Sequence, residues 1–546
     1  MRKIFFTTFA CLFGLGMFAR GVKPVPFAYQ TMHGELQQRL LKNLQRLHEE
    51  KYQPDHVFLT MAESGDWPGD TEGRTLLALV LDAQATHQQA QYLEEIVRRI
   101  PLHLNERGYM GPVFDTCHEQ QLSGNGWLLR GLCAYYEWKH DRAVLEMIRT
   151  LAVNLFTPLK GYYAEYPISP EERVQNVGAE SGSMVGRIGR WQLSSDIGCV
   201  FIGMEGLIHA YVVTKDARLK PVIEELIRRF LEIDLMAIKA QTHASLTACR
   251  GLLRYADATG KHALVKEAER RFMLYVENGM TENYENYNWF QRFDTWTEPC
   301  AIVDSYLLAV QLWQHTRNPR YLEYAEQIYY NALCRTQRFN GGFGTDVCPG
   351  AAIHSAYLDV SSPEAHWCCT MRGGEGLSCA ASYSAWQEGK EVYFPFLRDA
   401  AFTFEMDGQR MQVTEETGYP FAGNMSMKLQ MEKATKMAIN LPVYLWMEHV
   451  TLALNGKPVP LQIFKGFARI KRTFEPGDCI TMSFTMPQRA VPVVNRNNAL
   501  SHDSKRWMKG PLLLGQEEGK DTLCPIYHLF DPRVWEPGAK REKILF

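Results

Sequence analysis

Gly34-Glu35-Leu36-Gln37-Gln38-Arg39-Leu40-Leu41-Lys42-Asn43-Leu44-Gln45-Arg46-Leu47 states the pattern that most of this chain repeats. Its leucines recur at steps of three and four, the period of an amphipathic helix. Leu76, Leu77, Leu79, Val80 and Leu81 continue it. Further helical segments follow near 90–104, 122–139, 141–155, 196–214, 217–235, 243–259, 261–278, 299–316, 318–337 and 374–387. About twelve helices in six hairpins predict a mainly α fold, an (α/α)6 toroid. Three long interruptions, 159–195, 281–298 and 338–373, read as functional loops, because compact domains rarely carry long structureless connections without a use.

After Gln387 the period changes to two, in short alternating segments such as Val450-Thr451-Leu452-Ala453-Leu454 and Cys479–Met486. Asp-Gly, Asn-Gly and Pro-Gly-Asp turns separate them, which signals antiparallel strands. The expected division is a signal peptide over 1–21, a helical barrel over 22–390, and a C-terminal β-sandwich with an irregular tail over 391–546.

The 59 basic and 61 acidic residues nearly cancel, and no basic stripe with interleaved aromatics appears, so nothing points to nucleic acid as a partner. A neutral or small substrate fits that balance better. Arg2-Lys3, the apolar run Ile4–Phe18 and Ala19-Arg20-Gly21 have the three regions of an export signal. The run is too short to span a bilayer, and no later stretch is long enough. The expectation is an exported protein, periplasmic or secreted, with no membrane span. Oligomeric state is not legible.

Among thirteen cysteines, Cys133, Cys199, Cys249, Cys334 and Cys379 fall within helical apolar patterns and read as small buried hydrophobes. Cys368 and Cys369 do not. They are adjacent, in the third long loop, and about seventy residues upstream stands Glu298-Pro299-Cys300. Pro299 followed by an apolar run opens a helix, which places Cys300 in its first turn, where the positive helix end favours thiolate. Three thiols and a carboxylate suit Zn²⁺. The plain alternative is a buried cysteine beside a capping carboxylate.

These residues, with the toroid, the strands after it, and the runs Phe467–Asp478 and Gly510-Pro511-Leu512-Leu513-Leu514-Gly515, resemble glycoside hydrolase family 127, the β-L-arabinofuranosidase clan. The resemblance implies a retaining, exo-acting glycosidase with a zinc-bound cysteine nucleophile. By matching position Cys368 is that nucleophile, and Glu298, Cys300, Cys368 and Cys369 hold zinc. Glu282, sixteen residues before Glu298, is the implied acid/base, with Glu285 as rival. Asp70, His118 and His243 match the family's substrate-binding surface, although each has a structural reading too. His366 and Trp367 stand beside the nucleophile and are expected to wall the sugar site. Arg187, Arg190 and Trp191 are further candidates for the cleft. Thr370-Met371-Arg372-Gly373-Gly374-Glu375 departs from the family pattern, and Arg372 raises an acidic sugar such as aceric acid as substrate beside β-L-arabinofuranose. The expected partner is a plant cell-wall oligosaccharide. Two other readings stay open: a polyuronide lyase or unsaturated-uronyl hydrolase on the same toroid, and a non-catalytic glycan-binding protein with structural zinc.

Overall fold

A computed structural model describes residues 21–59, 66–173, 181–347, 357–494, 504–517, 519–527 and 542–543. The export signal and Cys348 lie outside the described residues. Twelve helices build the ring: α1 (Gly34–Arg46), α2 (Asp70–Thr86), α3 (Leu93–Arg99), α4 (Glu119–Lys139), α5 (Arg142–Leu151), α6 (Val200–Thr214), α7 (Lys220–Glu232), α8 (Thr242–Thr259), α9 (Ala263–Asn278), α10 (Pro299–Thr316), α11 (Arg320–Ile328) and α12 (Cys369–Ser382). Even-numbered helices form an inner ring in which each packs on the next and α12 returns to α2; odd-numbered helices pack outside.

The two rings are chemically different. In α1, Leu36, Leu40, Leu44 and Leu47 are buried while Leu41 turns outward, the single stripe that an outer helix requires. In α5, Val144, Ile148 and Leu151 do the same after Asp141 caps the helix by accepting from the Ala143 N–H at 2.8 Å. Inner helices are buried on nearly every side: α4 is buried from Glu119 to Tyr135. They approach closely where side chains are missing. A Cβ on Gly206 of α6 would stand 2.1 Å from the Gly126 carbonyl oxygen of α4, and one on Gly73 of α2 would stand 2.2 Å from the Trp127 backbone.

Most strands after the ring form two packed sheets. One runs 457–459, 448–454, 479–485, 424–430, 409–417, 400–406 and 30–32; the other runs 23–24, 386–388, 391–393, 435–442, 467–474 and 463–464. Alternation in Ala400–Met406 puts Phe402, Phe404 and Met406 inside, against Phe394 of the second sheet. Lys23–Pro24 and Gln30–Met32, which the sequence groups with the helices, add an edge strand to each sheet. The tail goes elsewhere: Gln488–Pro492, Lys505–Lys509, Leu512–Glu517 and Glu542–Lys543 join Thr345–Val347 and Tyr357–Ser362 in a third sheet beside the helical ring. Among the described residues no helix is long and apolar enough to cross a membrane.

Because backbone atoms of α4 occupy the space a Gly206 side chain would need, Gly206→Ala must push two inner helices apart. A loss of roughly 1–3 kcal/mol is expected, read from the midpoint of urea unfolding. An unchanged midpoint would show that the helix contact yields easily.

Candidate metal centre and substrate cavity

The inner helices run parallel, and the N-terminal ends of five of them open on one cavity of about 660 Å³. Asp70 and Arg74 come from α2, Asp196 and Ile202 from the entry to α6, Gln241 and His243 from α8, Glu298 from α10, and Cys368 and Cys369 from α12. Trp67, Trp296 and Trp367 supply aromatic wall. Unpaired N–H groups and aligned peptide dipoles make this the positive mouth of the ring, which favours thiolates and carboxylates.

At its floor the two cysteine-bearing helix starts meet. Glu298 is the N-cap of α10 with Pro299 and Cys300 in the first turn, and Cys368 is the N-cap of α12. Cys368 Sγ lies 3.2 Å and Cys300 Sγ 3.9 Å from Cys369 Sγ. Cys300, Cys368 and Cys369 can share one ion, and so can His243, Glu298 and Cys300. Burial pushes the Cys300 and Cys369 thiols well above their ordinary range; at Cys368 the neighbouring thiols and burial leave the same net direction. Three adjacent thiols held neutral by burial fit a soft divalent cation, whose charge reverses that preference. Cys300 and Cys369 are buried and Cys368 is half-buried, so Cys368 is the most exposed of the three, with Cys369 beside it in the cavity lining.

Glu298 is oriented from below. His243 Nδ1 stands 3.4 Å from Glu298 Oε1, and His243 Nε2 stands 3.4 Å from Asp304 Oδ2. Burial works against the Glu298 charge, yet His243 and Arg74 hold its carboxyl below the usual range. Asp304, fully buried, is likewise held down against burial by Arg372 at 2.7 Å, Arg250 and His243. Below it Arg130, Glu205, Arg254 and Glu375 extend an ion-pair column along the ring axis. Trp127 lies between the guanidinium groups of Arg74 at 4.0 Å and Arg130 at 4.3 Å.

The expected site residues separate on this geometry. Asp70, His243, Trp367, Glu298, Cys368 and Cys369 line the cavity, and Cys300 lies against its floor. Asp70 is bound by Arg74 through Nε at 2.6 Å and Nη2 at 3.0 Å. Arg372, expected to meet a substrate carboxylate, is buried, pairs with Asp304 and Glu375, and lies outside the described cavity lining. Position i+3 from Cys369 carries it one turn down the helix into the axis. His118 lies outside the described lining; its Nδ1 accepts from the Gln121 N–H at 3.4 Å as a helix cap and its ring stacks on Phe114. His366 packs edge-on to Trp367, outside the lining, and Trp191 is buried with its indole N–H donating to Tyr162 O at 3.1 Å. Arg187 donates to Gly189 O and Arg190 covers the Tyr162 ring.

Glu282 and Glu285 are fully buried and outside the described lining. Residues 280–286 form their own turn, closed by a Met280–Asn286 bridge and by Thr281 N–H donating to Glu285 O at 3.0 Å. The Glu282 carboxylate accepts from Tyr287 Oη at 3.1 Å, and its carbonyl accepts from Arg506 of the tail at 2.5 Å. Sequence reasoning missed Arg74, Asp196, Gln241 and Asn288, all in the cavity. Burial, reinforced by Glu298, pushes the Asp196 carboxyl up to about 7, and Oδ1 accepts from Ser181 Oγ at 2.7 Å. Asp70 and Arg74 at i, i+4 were the one pairing visible in sequence.

The sequence family model described as "Beta-L-arabinofuranosidase, GH127 catalytic domain" matches residues 182–382, and the one described as "GH127 middle domain" matches 398–486. The chain belongs to glycoside hydrolase family 127. Among solved structures, the fold is similar to a GH127 β-arabinofuranosidase at 14% identity and TM-score 0.67, covering 91% of this chain and 86% of that one. It is similar also to a GH127 β-L-arabinofuranosidase from Geobacillus stearothermophilus T6, at 14% identity and TM-score 0.68, covering 90% and 87%. A third structure, named as a glycoside hydrolase, gives 13% identity and TM-score 0.66 over 91% and 84%. No curated protein matches the sequence. The family member's helical ring and following all-β region agree with the fold read from the sequence.

Arg372→Met breaks two buried ion pairs and leaves Asp304 to Arg250, and Glu375 to Arg130 and Arg250. It should cost roughly 3–5 kcal/mol by urea denaturation. A variant of normal stability with altered preference between acidic and neutral sugars would instead put this guanidinium in the substrate site.

Proposed function

We propose that this family 127 protein is an exported, retaining glycosidase that removes a terminal furanoside of the β-L-arabinofuranose type from plant cell-wall glycans, with Cys368 as nucleophile. The observation that carries the reading is the cluster of three thiols and the Glu298 carboxylate at the floor of the cavity, with Cys368 the most exposed of the three cysteines. Glu298, Cys300, Cys368 and Cys369 would hold Zn²⁺, which supplies the positive charge that keeps these thiols ionised near neutral pH.

In the first step the Cys368 sulfur forms a bond to the anomeric carbon while the glycosidic C–O bond breaks, and a carboxylic acid gives its proton to the departing oxygen. In the second, water attacks the same carbon, the C–S bond breaks, and the carboxylate takes the water proton. Two displacements retain configuration. Trp367 and Trp296 offer apolar faces to the sugar ring. His243 and Gln241 keep the Glu298 carboxylate in place, with Gln241 Nε2 donating to Oε2 at 3.4 Å.

Two carboxyl groups compete for the proton. Family resemblance favours Glu282; position favours Asp196, which lines the cavity near Glu298 and whose carboxyl burial pushes up to about 7. An acid with a pKa of about 7 loses its proton as pH rises through that value, so a rate that depends on Asp196 falls on the alkaline side.

Cys300→Ala is expected to lose zinc, measured by elemental analysis, and with it activity. Cys368→Ser should lower kcat by about 10³-fold or more, because a hydroxyl is a weaker nucleophile and a poorer ligand. Full zinc content and rate in either variant would sink the assignment, as would an inverted product. For proton transfer, Asp196→Asn and Glu282→Gln are to be compared on substrates with poor and with activated leaving groups. The variant of the true donor spares only the activated ones, and if that is Asp196 the alkaline limb disappears with it.

A further inference from the structure

The Asn288 side chain is fully buried and lines the cavity, yet among the described residues neither its Nδ2 nor its Oδ1 has a hydrogen-bond partner. Its backbone is fully committed. Asn288 O accepts from Thr242 N–H at 3.0 Å and Thr242 Oγ1 at 3.2 Å, and Asn288 N–H donates to Thr295 Oγ1 at 3.1 Å. Gln241, facing the same cavity, donates Nε2 to Glu298 but leaves Oε1 without a partner among the described residues. The two residues sit on neighbouring segments pinned by the Gln241–Trp289 bridge and by Phe290 N–H donating to Ala240 O at 3.0 Å. A backbone held this firmly keeps both side chains at the cavity, and buried amides are rarely left unsatisfied without a reason.

We infer that Asn288 and Gln241 are the residues that read the hydroxyl groups of the bound sugar, and that they select a neutral glycoside over one bearing a carboxylate. This rests on the cavity being the glycoside site proposed above. A carboxamide both donates and accepts, and so does a hydroxyl, so Asn288 can bind one hydroxyl as donor and a neighbour as acceptor while Gln241 Oε1 accepts a hydrogen bond from a third. A carboxylate only accepts. Asn288 Nδ2 is the one amide donor of the pair left for it, and its other neighbours would be the two amide oxygens and the Asp66, Asp70, Asp196 and Glu298 carboxyl groups that line the same space. Among the described lining residues the arginine that could offset it, Arg74, spends Nε and Nη2 on Asp70 and directs Nη1 at Cys300 Sγ at 3.4 Å. His243 is enclosed between Glu298 and Asp304.

The test uses the zinc-loaded full chain and two probes that cannot be hydrolysed: 1,4-anhydro-L-arabinitol, and the same ring with its exocyclic CH₂OH oxidised to a carboxylate. Calorimetric titration of wild type should show the neutral probe binding at least about 10-fold more tightly than the acid. Asn288→Ala and Gln241→Met should each weaken the neutral probe by about 10-fold. In Asn288→Ala, which removes no contact to the zinc ligands, zinc content and melting temperature should stay at wild-type values, and with an aryl β-L-arabinofuranoside KM should rise by more than kcat falls. The inference is overturned if both variants bind the neutral probe as wild type does, if the acid binds more tightly, or if wild type binds neither. Wild type that binds the neutral probe but cleaves no furanoside keeps this inference and removes the glycosidase reading, so the two failures are distinct.

Discussion

Six parallel inner helices must bury polar side chains along a common axis, and the ion-pair column that fills it governs the rest of the molecule. Asp304 is its head. The aspartate takes Arg250 from α8, Arg372 from α12 and a 2.5 Å hydrogen bond from Thr247 Oγ1, then passes through His243 to Glu298 at the mouth. Buried charges of this kind add little net stability against an apolar core, but breaking one partner is costly. The column therefore fixes the rotation of the five inner helices that feed it, α4, α6, α8, α10 and α12, and with it which residues reach the mouth.

That rotation explains why one short segment performs two tasks. Cys368 and Cys369 stand at the first turn of α12, where the dipole and free N–H groups favour negative sulfur, while Arg372 and Glu375, three and six residues past Cys369, lie inside the column. Glycine packing sets the distance between the helices. With no Cβ at Gly73, Gly126, Gly203 or Gly206, α2, α4 and α6 come close enough for Arg74 and Arg130 to enclose Trp127 and for Arg74 to reach Cys300. The thiol cluster, the column and the close helix contacts are one mechanical unit.

The β elements act at a distance. N-terminal residues 23–32 tie the start of the chain into both sheets, and the tail returns to the loops around the ring, where Arg506 covers the Tyr284 ring at 4.0 Å and holds the Glu282 carbonyl. The segment that carries Glu282 is thus braced by residues more than two hundred positions later. The loop that leads into Cys368 is braced similarly, through Tyr357–Leu358 paired with Glu542–Lys543.

Local chemistry was sufficient for much of this. The three-and-four spacing of leucines dictates helices in any compact context, alternation after Gln387 dictates strands, and Pro299 one residue before Cys300 dictates a helix start with a thiol in its first turn. Adjacent thiols at 368 and 369 could be paired with Cys300 because few other uses exist for such a set. Side-chain direction was beyond reach. Arg372 and Cys369 are three residues apart in sequence and face opposite fates, one in the axis and one at the cavity floor, because helix rotation is set by the Asp304 column and not by α12. Counting back from Glu298 could not reveal that residues 280–286 close on themselves and take Glu282 with them, nor that Asp196, Gln241 and Asn288, spread over more than ninety positions, would meet. Those convergences arise only when the ring closes, since contacts between distant segments are decided by packing that no local pattern encodes.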